Sequence, residues 1–447
     1  MRTQLFFAST LYGAATLAAA LDDGRFEDAD QRLLLVSNNA ANPETTPALD
    51  VMPGFERLRG RFDRVLSWNE TIRPFHPGGW SPRPDDAPLW ERYLRTLWNL
   101  GDGLEDEVTL VLESIQVEPA LAVARLFPDA PVEVYADGLM SYGPTRNKLD
   151  PLVGSRVRRL LHLDLVPGLE PLLLTEFSVP SEIVPTAAFR AVLAELAEDV
   201  PPSVTELPRG GALLLGQYLS ALEILTPGEE EDLHLRMLRG AAARGHRDVV
   251  FKPHPVAPAR YSRALEKEAG ELGVTLTVLS APVLAEALYE RMRPALVVGC
   301  FSTALLTASA FYGLPAARTG TELLLEQVTP YQNSNRIPVT LVDALLPDLG
   351  TDEGTGLTPR TVPDLAGLVR TVGFCMQPRV LPELRDEAER YLAAHLSPAT
   401  RRYFKRRRLT ALALPGAVPR QFAFVPRNPT VRRVARRARA LKRAALG

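Results

Sequence analysis

Cysteine is nearly missing from this 447-residue chain, which has only Cys300 and Cys375. Two thiols cannot build a disulfide framework, and neither sits in a CxxC pair, which argues against a structural zinc site. The six histidines are scattered, and none has a partner at HxxxH spacing. A DxD triplet does occur as Asp28-Ala29-Asp30, but it precedes a strand and reads as a solvated helix end. No metal and no cofactor are expected. No apolar run reaches the roughly 18–20 residues that a membrane-spanning helix needs. GxGxxG and GxxxxGK(S/T) are also missing, so neither a dinucleotide fingerprint nor a P-loop is supported. These absences argue against integral membrane proteins, disulfide scaffolds and P-loop enzymes, and they fit a reducing cytoplasm.

The composition is that of a globular protein, with 46% hydrophobic and 23% charged residues. The length suits two or three domains. The net charge of −2 hides an asymmetry. Residues 401–447 hold 15 of the 51 basic side chains and none of the 53 acidic ones, so an acidic body carries a basic tail.

The opening MRTQLFFASTLYGAATLAAALDDG has the outline of a secretory signal, with Arg2, an apolar stretch and small residues at Ala18–Ala20. Ser9, Thr10, Tyr12 and Gly13 break the apolar stretch, and the better reading is a βαβ unit. It comprises a strand at Gln4–Ala8, a helix at Gly13–Leu21 and a strand at Arg32–Val36. Further apolar runs at Phe62–Leu66, Val108–Leu112 and Val132–Tyr135 alternate with helical stretches at Ala87–Leu100 and Glu118–Leu126. That alternation predicts a parallel sheet covered on both faces.

Five prolines between Val179 and Gly211 mark an interdomain connection, with a helix at Ala187–Leu196 inside it. A second α/β series follows, with strands at Ala212–Leu215, Asp248–Lys252, Val274–Leu279, Ala295–Val298 and Ala316–Arg318. The expected organisation is a first α/β domain over 1–178, a linker over 179–210 and a second α/β domain over 211–350. A helical segment over 351–400 and the basic tail over 401–447 complete the chain.

Ligands of open parallel sheets bind beyond the carboxyl ends of the strands. The residues at those points are Ser9-Thr10, Ser37-Asn38-Asn39, Glu113-Ser114 and Ala136-Asp137-Gly138 in the first half. In the second half they are Gln217, His254, Pro255, Ser302 and Thr303. Asp137 after PVEVYA has the placement of a general base, and also that of an Asp-Gly turn. His254 between two prolines suits a phosphate donor or a loop cap. Ser302 and Thr303 open a helix, where capping and anion binding coincide.

The motifs YADG (Tyr135–Gly138), KPHP (Lys252–Pro255) and FST (Phe301–Thr303), in this order, resemble the bacterial polysialyltransferase-like family of glycosyltransferases. More widely they resemble bacterial sialyltransferases of GT-B fold. SYGPTRNKL after Gly138 and LLLGQYLS at Leu213–Ser220 add to the likeness, which covers roughly residues 1–345. The resemblance implies an α/β protein of GT-B architecture, with two Rossmann-like parallel-sheet domains facing a cleft. It implies transfer of a nonulosonic acid from a CMP-activated donor to a glycan or lipid-linked glycan acceptor, with inversion and without a metal. It assigns Asp137 as base and His254 as phosphate contact. Ser302 and Thr303 would hold the phosphate and Lys252 would lie near the cytidine. Pro255 and Gln217 belong to the same donor side, and Glu286 is the nearest match to an acid that contacts the ribose. One departure stands out: the family has two acids before the glycine, and the first is here Ala136. The alternatives are a GT-B enzyme using another nucleotide sugar such as a UDP-sugar, and a non-catalytic glycan- or nucleotide-binding member.

RRYFKRRR (Arg401–Arg408) and VRRVARRARALKRAALG (Val431–Gly447) read as basic segments for an anionic membrane surface, at the inner face of the plasma membrane. The acidic body and the lack of a nucleic-acid motif argue against nucleic acid.

Overall fold

The structure, a computed structural model, describes residues 1–101, 106–254, 257, 259–350, 357 and 359–417. Its strands form two sheets, and every pairing is parallel. The first sheet contains β1 (Arg2–Ala8), β2 (Gln31–Val36), β3 (Arg64–Ser67), β4 (Glu107–Glu113), β5 (Val132–Ala136), β6 (Val157–Leu163) and β7 (Ser181–Val184). Its order is β3-β2-β1-β4-β5-β6-β7. The second contains β8 (Ala212–Leu215), β9 (Asp248–Lys252), β10 (Thr275–Val278), β11 (Leu296–Gly299) and β12 (Ala316–Arg318), in the order β10-β9-β8-β11-β12.

β1 shows why the strands are so apolar. Leu5 and Phe7 pack in the core on one face of the sheet, while Phe6 and Ala8 pack in the core on the other. With helices on both faces, alternation with polar residues has no place. Thr10 caps the following helix, Leu11–Asp22, by accepting from Gly13 N at 2.9 Å. Residues 2–36 thus form the expected βαβ unit, with β1 an interior strand between β2 and β4. Asp30 ends no helix. It sits before β2 and accepts from Arg2 N at 2.7 Å, at the amino ends of the strands, opposite the cleft.

Two features depart from the sequence-based expectations. Residues 179–210 do not simply connect two domains. They supply the edge strand β7 and a helix, Thr186–Glu198, that packs on both Leu11–Asp22 and the helix Ala285–Met292 of the second half. The short strand lies between Pro180 and Pro185, and prolines are tolerated at a sheet edge. The segment 401–417 is part of the folded body. Tyr403, Phe404, Leu409 and Leu414 are buried, and Tyr403 Oη donates to Asp343 Oδ2 at 2.8 Å. Arg408 Nε donates to Cys375 O at 2.6 Å. Its apolar side chains, spaced among the arginines, bind it to the core. Residues 418–447, with the segment Val431–Gly447, lie outside the described residues.

The helices Leu365–Met376 and Arg385–His395 pack together and carry the chain back to the first half. There Gln377 Nε2 donates to Arg146 O at 2.6 Å.

Candidate active site

Both sheets reverse their direction of winding at one point, between β1 and β4 in the first and between β8 and β11 in the second. Loops leaving the carboxyl ends there diverge and open a crevice. The two crevices face each other, and the walls touch. Leu139 N donates to Thr303 Oγ1 at 3.4 Å, and Tyr12 Oη lies 3.2 Å from Thr307 Oγ1. Between them is a cavity of about 410 Å³ lined by Thr10, Tyr12, Asp137, Gly138, Lys252, Glu286, Ser302 and Thr303. Seven residues expected at the site from sequence therefore meet in one place: Thr10, Asp137, Gly138, Lys252, Glu286, Ser302 and Thr303.

On the first wall, Asp137 follows β5. Burial, then the Glu113 carboxylate, push its pKa up to about 7, against a smaller lowering effect of its own backbone amide. Glu113 ends the neighbouring strand β4. Burial raises its pKa too, but Ser9 opposes this with two bonds, from N at 3.0 Å and from Oγ at 2.6 Å, to Oε2. Two donors to one carboxylate favour its anion. Burial and the neighbouring carboxylate thus raise Asp137, while the two Ser9 donors work to keep Glu113 ionised. Ser9 serves Glu113 rather than the cavity.

Ala136 has a physical explanation. It is buried in the apolar core on one face of the sheet, whereas Tyr135 packs in the core on the other. A carboxylate at 136 would be desolvated without a partner. The second acid beside Asp137 comes instead from β4. Glu133 plays no part, because it is bound to Arg159 at 2.7 Å. Two neighbours of Asp137 were not marked from sequence. Tyr135 Oη donates to Phe7 O at 2.9 Å. Gly13 passes so close that an added Cβ would stand 2.9 Å from Tyr135 Oη and 3.3 Å from Asp137 Oδ2.

The second wall is built by β9, β11 and the helix Ala285–Met292. Ser302 caps the helical run Thr303–Tyr312 by accepting from Ala304 N at 3.3 Å. A π-turn at Thr307–Phe311 interrupts that run, a feature often found beside functional sites. Lys252 ends β9, and burial lowers its pKa, partly offset by Glu286. Glu286 is buried, and that burial raises its pKa to about 7 despite Lys252. Gln217 is a clamp across the switch point, with Oε1 accepting from Phe301 N at 3.0 Å.

The remaining expected residues lie elsewhere. His254 is exposed beside Tyr218, with ring centroids 6.3 Å apart, and is not among the residues lining the cavity. Desolvation by its neighbours and then the Lys252 charge lower its pKa, which keeps the imidazole neutral at pH 7. Asn38 lines a different cavity, and its side-chain amide holds the loop after β2 through Pro43 O and Thr46 O. Pro255 lies outside the described residues.

The family model described as "Alpha-2,8-polysialyltransferase (POLYST)" matches residues 4–321. No curated protein matches the chain in sequence. Among solved structures, the sialyltransferase GT-B domain of Photobacterium damselae is similar at 10% identity, covering 76% of this chain and 96% of that one, with a TM-score of 0.38. The 2,6-sialyltransferase of Photobacterium sp. JT-ISH-224, solved with CMP and lactose, has 12% identity over 76% of this chain and 75% of that one, with a TM-score of 0.41. The UDP-GlcNAc 2-epimerase of Methanocaldococcus jannaschii has 11% identity over 71% and 83%, with a TM-score of 0.44.

Proposed function

This chain belongs to the alpha-2,8-polysialyltransferase family, and from that premise we propose that it moves a nonulosonic acid from a CMP-activated donor to a sugar hydroxyl, with inversion and without a metal. It is a sialyltransferase-like glycosyltransferase with two Rossmann-like domains in the GT-B arrangement. The observation that carries the proposal is the cavity itself. A carboxyl group with a pKa near 7 stands on one wall, and a capped helix start with a lysine stands on the other.

In the proposed step the acceptor hydroxyl gives its proton to Asp137 as its oxygen bonds to the anomeric carbon. The bond from that carbon to the phosphate oxygen breaks on the opposite face, and CMP leaves with the electron pair. Charge grows on the phosphate in the transition state. Ser302 and Thr303, which line the cavity, supply hydrogen-bond donors to it; the family resemblance gives His254 the same role, although it stands outside the cavity lining. Lys252 adds positive charge on the same side, and Glu286 binds the ribose hydroxyls. Gln217 fixes the loop that carries Ser302, and Gly138 faces Thr303 on the other wall, where a Cβ would sit at ordinary contact distance. An added Cβ at Gly138 would lie 3.4 Å from Thr303 Oγ1.

The Glu113–Asp137 pair favours catalysis over a non-catalytic binding role, since two acids are present although Ala136 is not one of them. Thermal shift with CMP, UMP and GMP tests the donor class. A selective rise with CMP is expected, and a selective response to UMP would remove the CMP-sugar reading.

No helix among the described residues is long and apolar enough to cross a membrane. We assign residues 418–447, which hold nine Lys and Arg and no acid, to reversible docking on an anionic membrane face where a lipid-linked glycan would be extended. On this reading the enzyme works at the inner face of the plasma membrane, in the synthesis of cell-surface polysaccharide.

A further inference from the structure

We propose that Glu230 is a positioning residue for the donor wall: buried behind the loop that follows β8, it holds Gln217 in place and, through Gln217, the segment that carries Ser302 and Thr303. The inference rests on the transferase reading above and adds to it a residue that touches neither substrate.

The acids of the run Glu229-Glu230-Glu231-Asp232 open the helix Pro227–Ala243, where charge is usual. The structure separates them by task. Glu229 completes a capping box with Thr226, accepting from Thr226 N at 2.8 Å. Glu230 turns inward and is 0% exposed. The cap is already complete without it, so the start of the helix does not explain its burial.

The Glu230 carboxylate is bound mainly by one loop. Leu219 N donates to Oε1 at 2.5 Å, and Ser220 donates to Oε2 from N at 3.0 Å and from Oγ at 2.6 Å. Tyr261 Oη, from the helix Ala259–Leu272, stands 3.1 Å from Ser220 Oγ and 3.3 Å from Glu230 Oε2. These partners are amides and hydroxyls, and among the described residues Glu230 makes no ion pair. A buried carboxylate without a counterion is costly, and an apolar side chain of similar size commonly stabilises a core more. What the carboxylate contributes is direction. Its two oxygens take the amides of two consecutive residues and so fix the course of the loop.

That loop assembles the donor wall. β8 lies between β9 and β11, where the sheet reverses its winding. Gly216 N donates to Lys252 O at 2.9 Å, and Gln217 Oε1 accepts from Phe301 N at 3.0 Å. Ser302, the next residue after Phe301, lines the cavity. The path therefore runs from Glu230 to Leu219 N, back two residues to Gln217, across to Phe301 N and on to Ser302. Tyr218, inside the anchored stretch, stands beside His254 with ring centroids 6.3 Å apart. The Glu230 charge reaches that ring too, raising its pKa against the larger lowering by burial and Lys252.

The test is a double-mutant cycle on the full chain, read as the Kd for CMP by calorimetry, with melting temperature measured alongside. Glu230→Gln sets an amide against donors that need an acceptor, and should weaken CMP by about tenfold or more. Gln217→Ala should weaken it by a comparable factor. The variant with both changes should bind at most about twofold more weakly than the poorer single variant, because both changes release the same segment. A residue that only stabilises the fold acts independently of Gln217, and its factor multiplies. Ser220→Ala removes one bond to Glu230 and should cost roughly threefold. It replaces Glu230→Gln in the cycle should that variant not fold. Unchanged CMP affinity in a folded Glu230→Gln or Ser220→Ala variant, or factors that multiply with Gln217→Ala, overturns the proposal. The two readings fail separately. An unaltered chain that ignores CMP removes the transferase reading, whereas one that binds CMP and loses nothing in these variants removes only this inference.

Discussion

Glu113→Gln should move the acidic limb of the pH–rate profile down by about one pH unit. A general base works as its anion, so kcat/KM rises with pH through the pKa of Asp137. Burial and Glu113 together hold that pKa at about 7, against 3.8 for the unperturbed group. The difference is worth about 4 kcal/mol against the anion. Neighbouring strands are spaced by about 5 Å, and at that separation two carboxylates repel by about 3 kcal/mol at an effective dielectric of about 20. Burial contributes more than this repulsion, so the share of Glu113 is nearer 1.5 kcal/mol, about one pH unit. Glutamine keeps the shape, and its Oε1 still accepts from Ser9, so the fold is retained. The assay is CMP release from CMP-sialic acid with saturating acceptor between pH 5 and 9, with melting temperature measured alongside. At pH 6 a base with a midpoint near 7 shows about a tenth of its plateau, and one with a midpoint near 6 shows about half. A limb that stays in place, or moves upward, in a folded variant refutes the pairing of Glu113 with Asp137.

Four further outcomes are expected. Asp137→Ala should abolish turnover while CMP still raises the melting temperature, because the donor wall is on the other domain; loss of the CMP response would place Asp137 on the donor side. His254→Ala should lower turnover by about 10²-fold with the fold intact, and unchanged turnover in stopped-time assays would remove it from the mechanism. Gly13→Ala should lower kcat with little change in donor KM, since the new methyl would stand 2.9 Å from Tyr135 Oη and 3.3 Å from Asp137 Oδ2; melting temperature is measured alongside, because overpacking against the buried tyrosine costs about 1–3 kcal/mol, and an unchanged kcat in the folded variant would remove this contact from the mechanism. A chain ending at Ala417 should keep its melting temperature but lose sedimentation with anionic vesicles at low salt, whereas one ending at Pro398 should unfold, because four buried side chains worth about 1.5–3 kcal/mol each leave the core. Equal vesicle binding by the full chain and the Ala417 form would remove the tail as anchor.

The second half was the more legible in sequence because its strands are short, apolar and separated by helices of ordinary length. Each of its five strands falls within a residue or two of the expected place. In the first half β6 was not expected. It reads VRRLLHL, and its arginines break the apolar run. In the structure Arg159 reaches past the strand to Glu133 and Glu182, so the charge is neutralised beside the sheet. β7 was hidden by the prolines that flank it, since an edge strand can accept the residue types a central strand excludes. The basic segment Arg401–Arg408 was misread for a related reason. Charge counts register its arginines, while Tyr403 and Phe404 decide where it goes.

The site was legible where function depends on position in the chain and illegible where it depends on pairing between strands. Asp137, Ser302 and Thr303 could be placed because the end of a parallel strand is fixed by the strand itself. The role of Glu113 could not, although it was visible at the end of β4. Nothing in a one-dimensional reading says that β4 lies next to β5, or that Ser9 will reach across from β1 to hold the carboxylate. The same blindness made Ala136 look like a missing catalytic acid. Within its strand it is the residue before Asp137, but in the sheet it points into the apolar core, and the position beside Asp137 belongs to another strand. A lost motif residue is therefore weak evidence for lost chemistry when the neighbouring strand ends in an acid. Glu113→Gln tests that statement directly, because it removes the second charge without touching the motif.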